Sequence, residues 1–299
     1  MVNTVIYQAI WENKLAQRLD KPQNWKEVCD VVYTDTQTYN FPLIATTGEP
    51  AVATLTNTAA GRSLLSNVIP FIDVTETNET LSIVTAELDS VYLDYADQAQ
   101  SNYAKMAEMG NLLGKKINER AEGIVLANSA AWTDFGDTGG GVLGLASTAI
   151  TVSANNVDDI IRGVIRVIQK ANGFNIYNEN GAFVIWRPED WEYVTQFMQA
   201  NGYGVADRSL SNGATIGTDF LGITHYVSTG HASGHLMAGV KKVQKFGILK
   251  STYGKTYVNE MPSSSTAGSL SGTQIHTRLD YGLLVPTNLK PVLLDVNVV

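Results

Sequence analysis

The feature that most constrains this chain is a long stretch with helical periodicity near its middle, from about residue 89 to residue 128. Apolar or small residues recur there at spacings of three and four, the pattern of one helix face. They are Ala99, Tyr103, Met106, Gly110, Leu113, Ile117, Ala121, Ile124 and Val125. At about 1.5 Å per residue, such a helix would span about 60 Å. Because that exceeds the diameter of a small compact domain, such a helix must either lie across a flat, extended molecule or pair with partners. The pattern therefore indicates a structural subunit before it indicates an enzyme.

Composition indicates a folded chain suited to contacts with other proteins. The sequence has 299 residues, of which 44% are hydrophobic and 17% are charged. The charged share lies below the usual figure of about 25%, which favours protein contacts over a highly charged exterior. The formal net charge is −8. This charge excludes a typical nucleic-acid reader, because neutralising phosphates requires a basic surface.

The sequence predicts a soluble protein that is made inside the cell. The first residues lack a basic segment followed by an apolar core, and no apolar run reaches the roughly 18 residues of a membrane span. The single cysteine, Cys29, cannot form an intramolecular disulfide. We interpret it as a small buried hydrophobe rather than a catalytic thiol.

The region before the helical stretch is predicted to be an arm followed by a long extended loop. Residues 1–36 form the arm, and residues 37–88 contain strand-like segments at 38–44 and 81–84 around a stretch with few apolar anchors. Ordering such segments costs about 1–2 kcal/mol per residue. Because they cannot build their own core, we expect neighbouring copies to supply their contacts.

The C-terminal half is predicted to be an α/β block. A glycine-rich turn region spans 134–144, and no Gly-Lys-Ser/Thr follows it, so we do not expect it to bind phosphate. Helices are predicted at 157–171, with Asn156 as N-cap, and from Pro188 to Gly202. The other predictions are a hairpin-like turn at 177–181, strands at 182–186, 223–228, 235–240, 246–249, 273–285 and 292–298, and a flexible loop at 262–272.

Several stretches of this half resemble one known family. They are the glycine-rich segment 136–144, the strand and acidic–aromatic helix start at 181–191, the leucine-glycine-isoleucine strand at 220–228, and the closing strands at 277–286 and 292–297. The order of arm, extended loop, long helix and α/β block agrees over essentially the whole chain. Together these features resemble the major capsid proteins of tailed double-stranded DNA bacteriophages, which have the Hong Kong 97 type of capsid fold.

The resemblance implies an α+β fold built from five parts. These are an N-terminal arm at 1–36, an extended β-hairpin loop (the E-loop) at 37–88, a spine helix with the first part of the peripheral domain at 89–154, an axial α/β domain at 155–260, and return strands to the peripheral domain at 261–299.

The resemblance also implies a structural function without catalysis, cofactor or metal. Hexamers and pentamers of this one chain would form an icosahedral head shell around packaged double-stranded DNA, without sequence-specific binding. Scaffolding, portal and decoration proteins are the implied partners, and no membrane is involved. Assembly would take place in the host cytoplasm, and the protein would reside in the virion.

Two features of family variants are not expected here. Some members join subunits through a lysine–asparagine bond from the extended loop, but residues 37–88 contain no lysine. We therefore expect noncovalent contacts or decoration proteins to stabilise the shell. Some members also carry a long N-terminal scaffolding segment. This sequence begins with a methionine close to its arm, so a separate scaffold protein is expected.

Charged residues supply the candidate contacts between subunits. The C-terminal half has one basic cluster, and acidic residues of the extended region are its candidate salt-bridge partners in a neighbouring copy. A single basic residue in the span 37–104 is a further candidate. The candidates are Arg62, Glu76, Glu79, Glu87, Lys241, Lys242 and Lys245.

Two alternative functions stay open. One is an encapsulin-like cellular compartment, which the same resemblance covers, and the other is an uncharacterised α/β enzyme. For the enzyme, His231 and His235 have a spacing that would suit zinc on a helix, but the intervening Gly and Ser favour a loop. No motif of a hydrolase or a redox enzyme is present in the sequence.

Overall fold

The structure is a computed structural model that describes residues 23–46, 74–94, 105–202, 218–261 and 272–299. The predicted arm up to residue 22, Arg62 and the predicted flexible loop up to residue 271 lie outside the described residues.

Helices and strands follow one another in mixed order. The helices in the described residues are α1 (Trp25–Val28), α2 (Lys105–Ala127), α3 (Val157–Lys170), α4 (Phe174–Asn180) and α5 (Pro188–Ala200). The strands there are β1 (Asp30–Thr34), β2 (Thr38–Thr46), β3 (Val74–Ser82), β4 (Thr85–Asp94), β5 (Thr133–Asp137), β6 (Leu143–Gly144), β7 (Ala182–Trp186), β8 (Thr218–Phe220), β9 (Ile223–Val227), β10 (His235–Val240), β11 (Lys245–Leu249), β12 (Thr256–Met261), β13 (Gly272–Leu284) and β14 (Leu293–Asn297).

The described strands form three sheets. A seven-stranded sheet has the order β6-β5-β14-β10-β7-β9-β8, and a five-stranded sheet has the order β1-β11-β13-β12, with β4 also paired to β13. Strands β2 and β3 form a separate two-stranded sheet. Parallel pairs such as β7 with β9 occur beside antiparallel pairs such as β10 with β14. The architecture is therefore α+β, as the sequence predicts.

The main hydrophobic core surrounds the seven-stranded sheet. Every residue of β7 and β14 is buried, so both faces of these strands are covered. Phe183 meets the Trp132 ring edge-on, with 6.5 Å between ring centroids. Helix α3 adds an apolar face formed by Val157, Ile160, Ile161, Val164, Val167 and Ile168, all buried. This core fixes the C-terminal half as one packed unit.

Helix α2 links the five-stranded sheet to the main core. Near its middle, Leu113 packs with Ile275 of β13. Two ion pairs hold the next turns of the helix to β4: Lys116 to Asp89 at 3.3 Å and Arg120 to Glu87 at 3.0 Å. The end of the helix then joins the main core through Ala121, Ile124, Val125 and Leu126.

The predicted start of this helix near residue 89 is wrong. Residues 85–94 form β4, which pairs antiparallel with β13 along its whole length. In the sequence, the apolar positions with helical spacing begin only at Ala99, and Val91 and Tyr92 are residues that favour strands. Pairing with β13 therefore decides the conformation of residues 89–94. The described helix has 23 residues and spans about 35 Å rather than 60 Å. Its predicted inward positions from Leu113 to Val125 are buried.

The predicted strand at 81–84 is wrong at residues 83–84, because β3 ends at Ser82 and β4 begins at Thr85. The predictions for the C-terminal half are confirmed, with two corrections. The helices at Val157 and Pro188 and the C-terminal strands lie within two residues of their predicted bounds. The predicted turn at 177–181 is wrong, because α4 continues to Asn180 and Gly181, with a φ of 74°, ends it. Asn156 precedes α3 as predicted, but its side-chain oxygen accepts from the Ser153 backbone N–H at 2.9 Å instead of capping the helix.

A buried histidine completes the packing between β7, β9 and α5. His225 is 1% exposed, and Trp186 Nε1 donates to its Nδ1 at 2.9 Å. Because an indole nitrogen only donates, the His225 proton is on Nε2, which lies 3.0 Å from the Phe220 carbonyl oxygen. Burial lowers the pKa of His225 to about 4. The neutral ring is therefore part of the fold.

We expect His225 to make the fold acid-sensitive. The unfolded ring titrates near 6.5 and the folded ring near 4, so unfolding takes up a proton between these values and stability falls as pH decreases through that window. The size of this contribution is about 3 kcal/mol. Urea unfolding from pH 4 to 7 should show a shallower pH dependence for His225→Asn, whose oxygen can still accept from Trp186. An unchanged slope would contradict this role.

Candidate assembly surface

The two-stranded sheet is the part of the described chain that most lacks a core. Strands β2 and β3 pair antiparallel from Thr38 opposite Ser82 to Thr46 opposite Val74. Neither strand pairs with any other strand in the described residues. The Tyr39 and Phe41 rings lie 4.8 Å apart on this hairpin, and Tyr39 is 43% exposed. Since an isolated two-stranded hairpin is at best marginally stable in water, this surface requires another contact.

The base of the hairpin is fixed to the five-stranded sheet by a close approach. Leu81 and Ile83 are buried, and they lie over Gly247 of β11 and Gly282 of β13, which face each other in register. A Cβ on Gly282 would lie 2.2 Å from the Ser82 carbonyl oxygen, and one on Gly247 would lie 2.6 Å from Leu81 Cδ2. The two glycines form a flat floor, which we call the glycine floor.

Lys245, one of the predicted contact residues, lies beside this base. Its Nζ forms an ion pair with the Asp30 carboxylate on β1. The same Nζ lies 5.4 Å from the centre of the Phe41 ring. The side chain therefore joins β1, β11 and the hairpin within one copy. A contact of Lys245 with a second copy remains a prediction.

The acidic candidates also have partners within the chain. Glu79 Oε1 accepts the Thr287 backbone N–H at 2.8 Å, and Glu87 pairs with Arg120. Glu76 is paired by backbone register with Ile44, and its side chain lies outside the described part. Among the described side chains, no ion pair joins Glu79 or Glu87 to the basic cluster. The contacts of all three carboxylates between copies stay predictions.

Lys241 and Lys242 occupy different environments at the end of β10. Lys241 Nζ donates to Thr224 Oγ1 at 2.7 Å and lies 5.5 Å from the Tyr226 ring centre, and burial lowers its pKa. Lys242 has a φ of 59° and its backbone N–H donates to the Val28 carbonyl oxygen at 2.6 Å. Its side chain is exposed. Of the two, Lys242 is better placed to reach another molecule.

The two histidines weighed for a metal site, and the glycine-rich turn weighed for phosphate, have contacts within the chain. His235 Nδ1 is 2.9 Å from Asp295 Oδ2, and burial lowers the pKa of His231 to about 4. No group of three metal-ligating side chains occurs in the residues that the structure describes. In the glycine-rich region, the Asp137 carboxylate accepts the Gly139 N–H at 2.8 Å, which closes the turn on itself. These features have a structural explanation within the chain.

Sequence reasoning missed two parts of this surface. The glycine floor had a usable signal, because a glycine inside a strand often marks the close approach of another backbone. Lys116 and Arg120 had a signal as well, being one helical turn apart on the face that meets β4.

The described helices include none that is long and apolar enough to span a membrane.

Comparisons with known proteins identify the fold. No protein-family model matches the sequence, and no curated protein matches it either. The solved structures do match. The capsid of a native GTA particle has a TM-score of 0.67 at 9% identity, covering 98% of this chain and 95% of the other. A structure of Mycobacterium phage Che8 has a TM-score of 0.66 at 13% identity, covering 99% and 98%. The capsid of Ralstonia phage GP4 has a TM-score of 0.63 at 8% identity, covering 99% and 97%.

The chain thus has the α+β Hong Kong 97-like capsid fold, and the prediction of this fold from the sequence is confirmed. Identities of 8% to 13% with these structures establish the fold alone. The bounds of the five predicted parts remain predictions. The features of this chain that bear on its function are the hairpin and the residues around it.

We expect the glycine floor to set the position of the hairpin. Gly282→Ala brings a methyl group against the Ser82 backbone, which cannot rotate away, so the hairpin base must shift, at a cost of about 2–3 kcal/mol. Gly247→Ala meets side-chain atoms rather than backbone, namely Leu81 Cδ2 and Cγ and Ile83 Cδ1. It serves as the matched control, at about 1 kcal/mol. Urea unfolding measures both values, and equal losses would contradict the assignment.

Reversing the exposed charge of Lys242 tests the predicted contact between copies. If it meets acidic residues of a neighbour, Lys242→Glu should lower the yield of assembled particles several-fold at low salt. Lys241→Glu with Lys242→Glu should lower it further, partly by breaking the bond to Thr224. Lys255→Glu reverses another exposed lysine and is the control. Particle yield in sucrose gradients is the measurement, and a yield equal to the control rejects the contact.

Proposed function

We propose that this chain is the structural subunit of an icosahedral head shell, assembled from hexamers and pentamers of itself around packaged double-stranded DNA. Two observations support the proposal. The capsid structures with the same fold cover nearly the whole chain. Within the chain, hairpin β2–β3 lacks a neighbouring strand in the described residues, and this is the observation that carries the proposal.

The hairpin suggests how copies would join. In the described residues, its contacts with the rest of the chain lie on the glycine floor, at Lys245 and at the Glu79 bond to Thr287. The exposed Tyr39 ring and the unpaired strand edges need a further surface. In the proposed shell, that surface belongs to a neighbouring copy. A contact between the hairpin of one copy and a different face of the next is heterologous, and repetition of such a contact closes into rings. Rings of five and six are the capsomers of the proposal.

The charge of the chain fits the proposed contents of the shell. The net charge of −8 disfavours adhesion to the phosphate backbone, so packaged DNA would be enclosed without sequence-specific binding. Scaffolding, portal and decoration proteins are the proposed partners, assembly in the host cytoplasm is proposed, and the virion is the proposed location. The encapsulin-like compartment and the α/β enzyme are not favoured, because the solved structures named above include phage and GTA capsids.

Assembly of the purified protein tests the proposal directly. We expect size-exclusion chromatography with negative-stain microscopy to show closed shells, tubes or capsomers when the chain is expressed alone or with its neighbouring gene products. A stable monomer in all these conditions, at several salt concentrations, would overturn the proposal.

A surface variant tests the part played by the hairpin. Tyr39→Ser should lower the assembled fraction several-fold with little change in melting temperature, because Tyr39 is 43% exposed in one copy. Tyr193→Ser is the matched control, since Tyr193 is 38% exposed on α5. If both variants assemble like the wild type, the hairpin is not the main contact between copies.

A further inference from the structure

A buried carboxylate joins three segments where the N-terminal part of the chain meets helix α2. Glu122 is 2% exposed, and its Oε2 accepts the Trp25 backbone N–H at 2.8 Å. Asn24 and Ser228 lie close enough to affect its protonation, and Asn24 Nδ2 itself donates to the Val227 carbonyl oxygen at the end of β9, at 3.0 Å. Its Oε1 has no hydrogen-bond partner within the described part of the chain. The carboxyl group therefore joins α1 to α2 directly, next to the end of β9.

The cations near Glu122 are directed elsewhere. Lys116 and Arg120 line the same 380 Å³ cleft as Glu119 and Glu122. Lys116 pairs with Asp89, and Arg120 pairs with Glu87, both on β4. None of the interactions that affect the protonation of Glu122 comes from a cation in the described residues. The ionised carboxylate is thus stabilised by hydrogen bonds only.

The groups on the other side of Glu122 do not supply positive charge. From α1 and β1 come the Cys29 thiol and the Asp30 carboxylate, and burial together with the charges of Glu122 and Asp30 raises the pKa of that thiol. From the end of β9 comes the Ser228 hydroxyl, a neutral donor. Burying an ionised carboxylate in such surroundings is costly, whereas the protonated form is not.

The protonation equilibrium of Glu122 follows from this balance. Burial raises its pKa to about 7, against the opposing effect of the Trp25 N–H bond and of the nearby Ser228 and Asn24. An exposed glutamate titrates at 4.5. Because Glu122 has a higher pKa in the closed junction than when exposed, protonation stabilises the closed junction. This contribution to stability is fully present below pH 4.5 and is lost as pH rises through 7.

We propose that Glu122 is a proton-controlled latch that fixes the start of the N-terminal segment to helix α2. When the carboxyl is protonated, the junction at Asn24 and Trp25 stays closed. When it is ionised, the unpaired charge favours an open junction in which water reaches the carboxylate. The latch is a property of the single folded chain and goes beyond the proposed shell function. In a shell, it would make the attachment of the N-terminal arm dependent on pH.

Hydrogen exchange of the α1 amides tests the latch. For the wild type, the opening equilibrium of the segment from Trp25 to Cys29, corrected for intrinsic exchange rates, should increase about ten-fold from pH 6 to pH 8. Glu122→Gln keeps an oxygen acceptor for the Trp25 N–H but cannot ionise, so its change should stay below about two-fold. Glu119→Gln, in the same cleft, is the matched control and should retain the ten-fold change. Equal pH dependence in the wild type and Glu122→Gln would overturn the proposal.

A second variant keeps the test decisive if Glu122→Gln does not fold. Ser228→Ala removes a nearby hydroxyl that lowers the pKa of Glu122. The pKa should therefore rise, and the increase in exchange should begin at a higher pH than in the wild type. A transition that stays at the wild-type pH would overturn the latch. Because both measurements are made on the unassembled chain, failure of the latch and failure of the shell proposal give different results.

Discussion

Strand β13 is the element on which the other strands of the five-stranded sheet depend. It has 13 residues and pairs with β4, β12 and β11 along its length. Its Ile275 meets Leu113 of helix α2, and its Gly282 supports the hairpin base. One strand thus fixes the positions of the long helix and of the hairpin relative to each other. Since β13 is paired with β4 on one edge and with β12 and β11 on the other, movement of either element requires a change in its backbone hydrogen bonds.

Much of the fold could be predicted from the sequence because burial follows simple periodicities. The apolar positions of α3 recur at helical spacing, and β7 is a continuous apolar run between turn signals, as expected for a strand buried on both faces. The predictions failed where tertiary contacts decide the local conformation. Residues 89–94 form a strand because β13 lies beside them, and this pairing partner is about 180 residues away.

The candidate contact residues were less predictable than the fold. Charge alone marked Lys245, Glu79 and Glu87, yet each has a partner inside the chain. A sequence shows which residues carry charge but not which neighbours the fold gives them. The glycine floor illustrates the opposite case, since Gly247 and Gly282 carry no functional group and act only through the space they leave. Their importance appears once their strands are seen in register.

The comparisons fit this division between fold and surface. A fold can persist at 9% identity because many side-chain sets fill a core of given volume and pattern. Surface contacts, by contrast, need particular partners on both sides, so they vary as both sides change. Here the ion pairs of Lys116 and Arg120 are on the surface but lie within one copy, where they hold α2 on β4. In the proposed shell, the hairpin would offer a second copy mainly its shape, its paired backbone and the exposed Tyr39 ring. Assembly through such a surface would depend on holding the hairpin at a fixed angle, and the contact with Gly282 would supply that constraint.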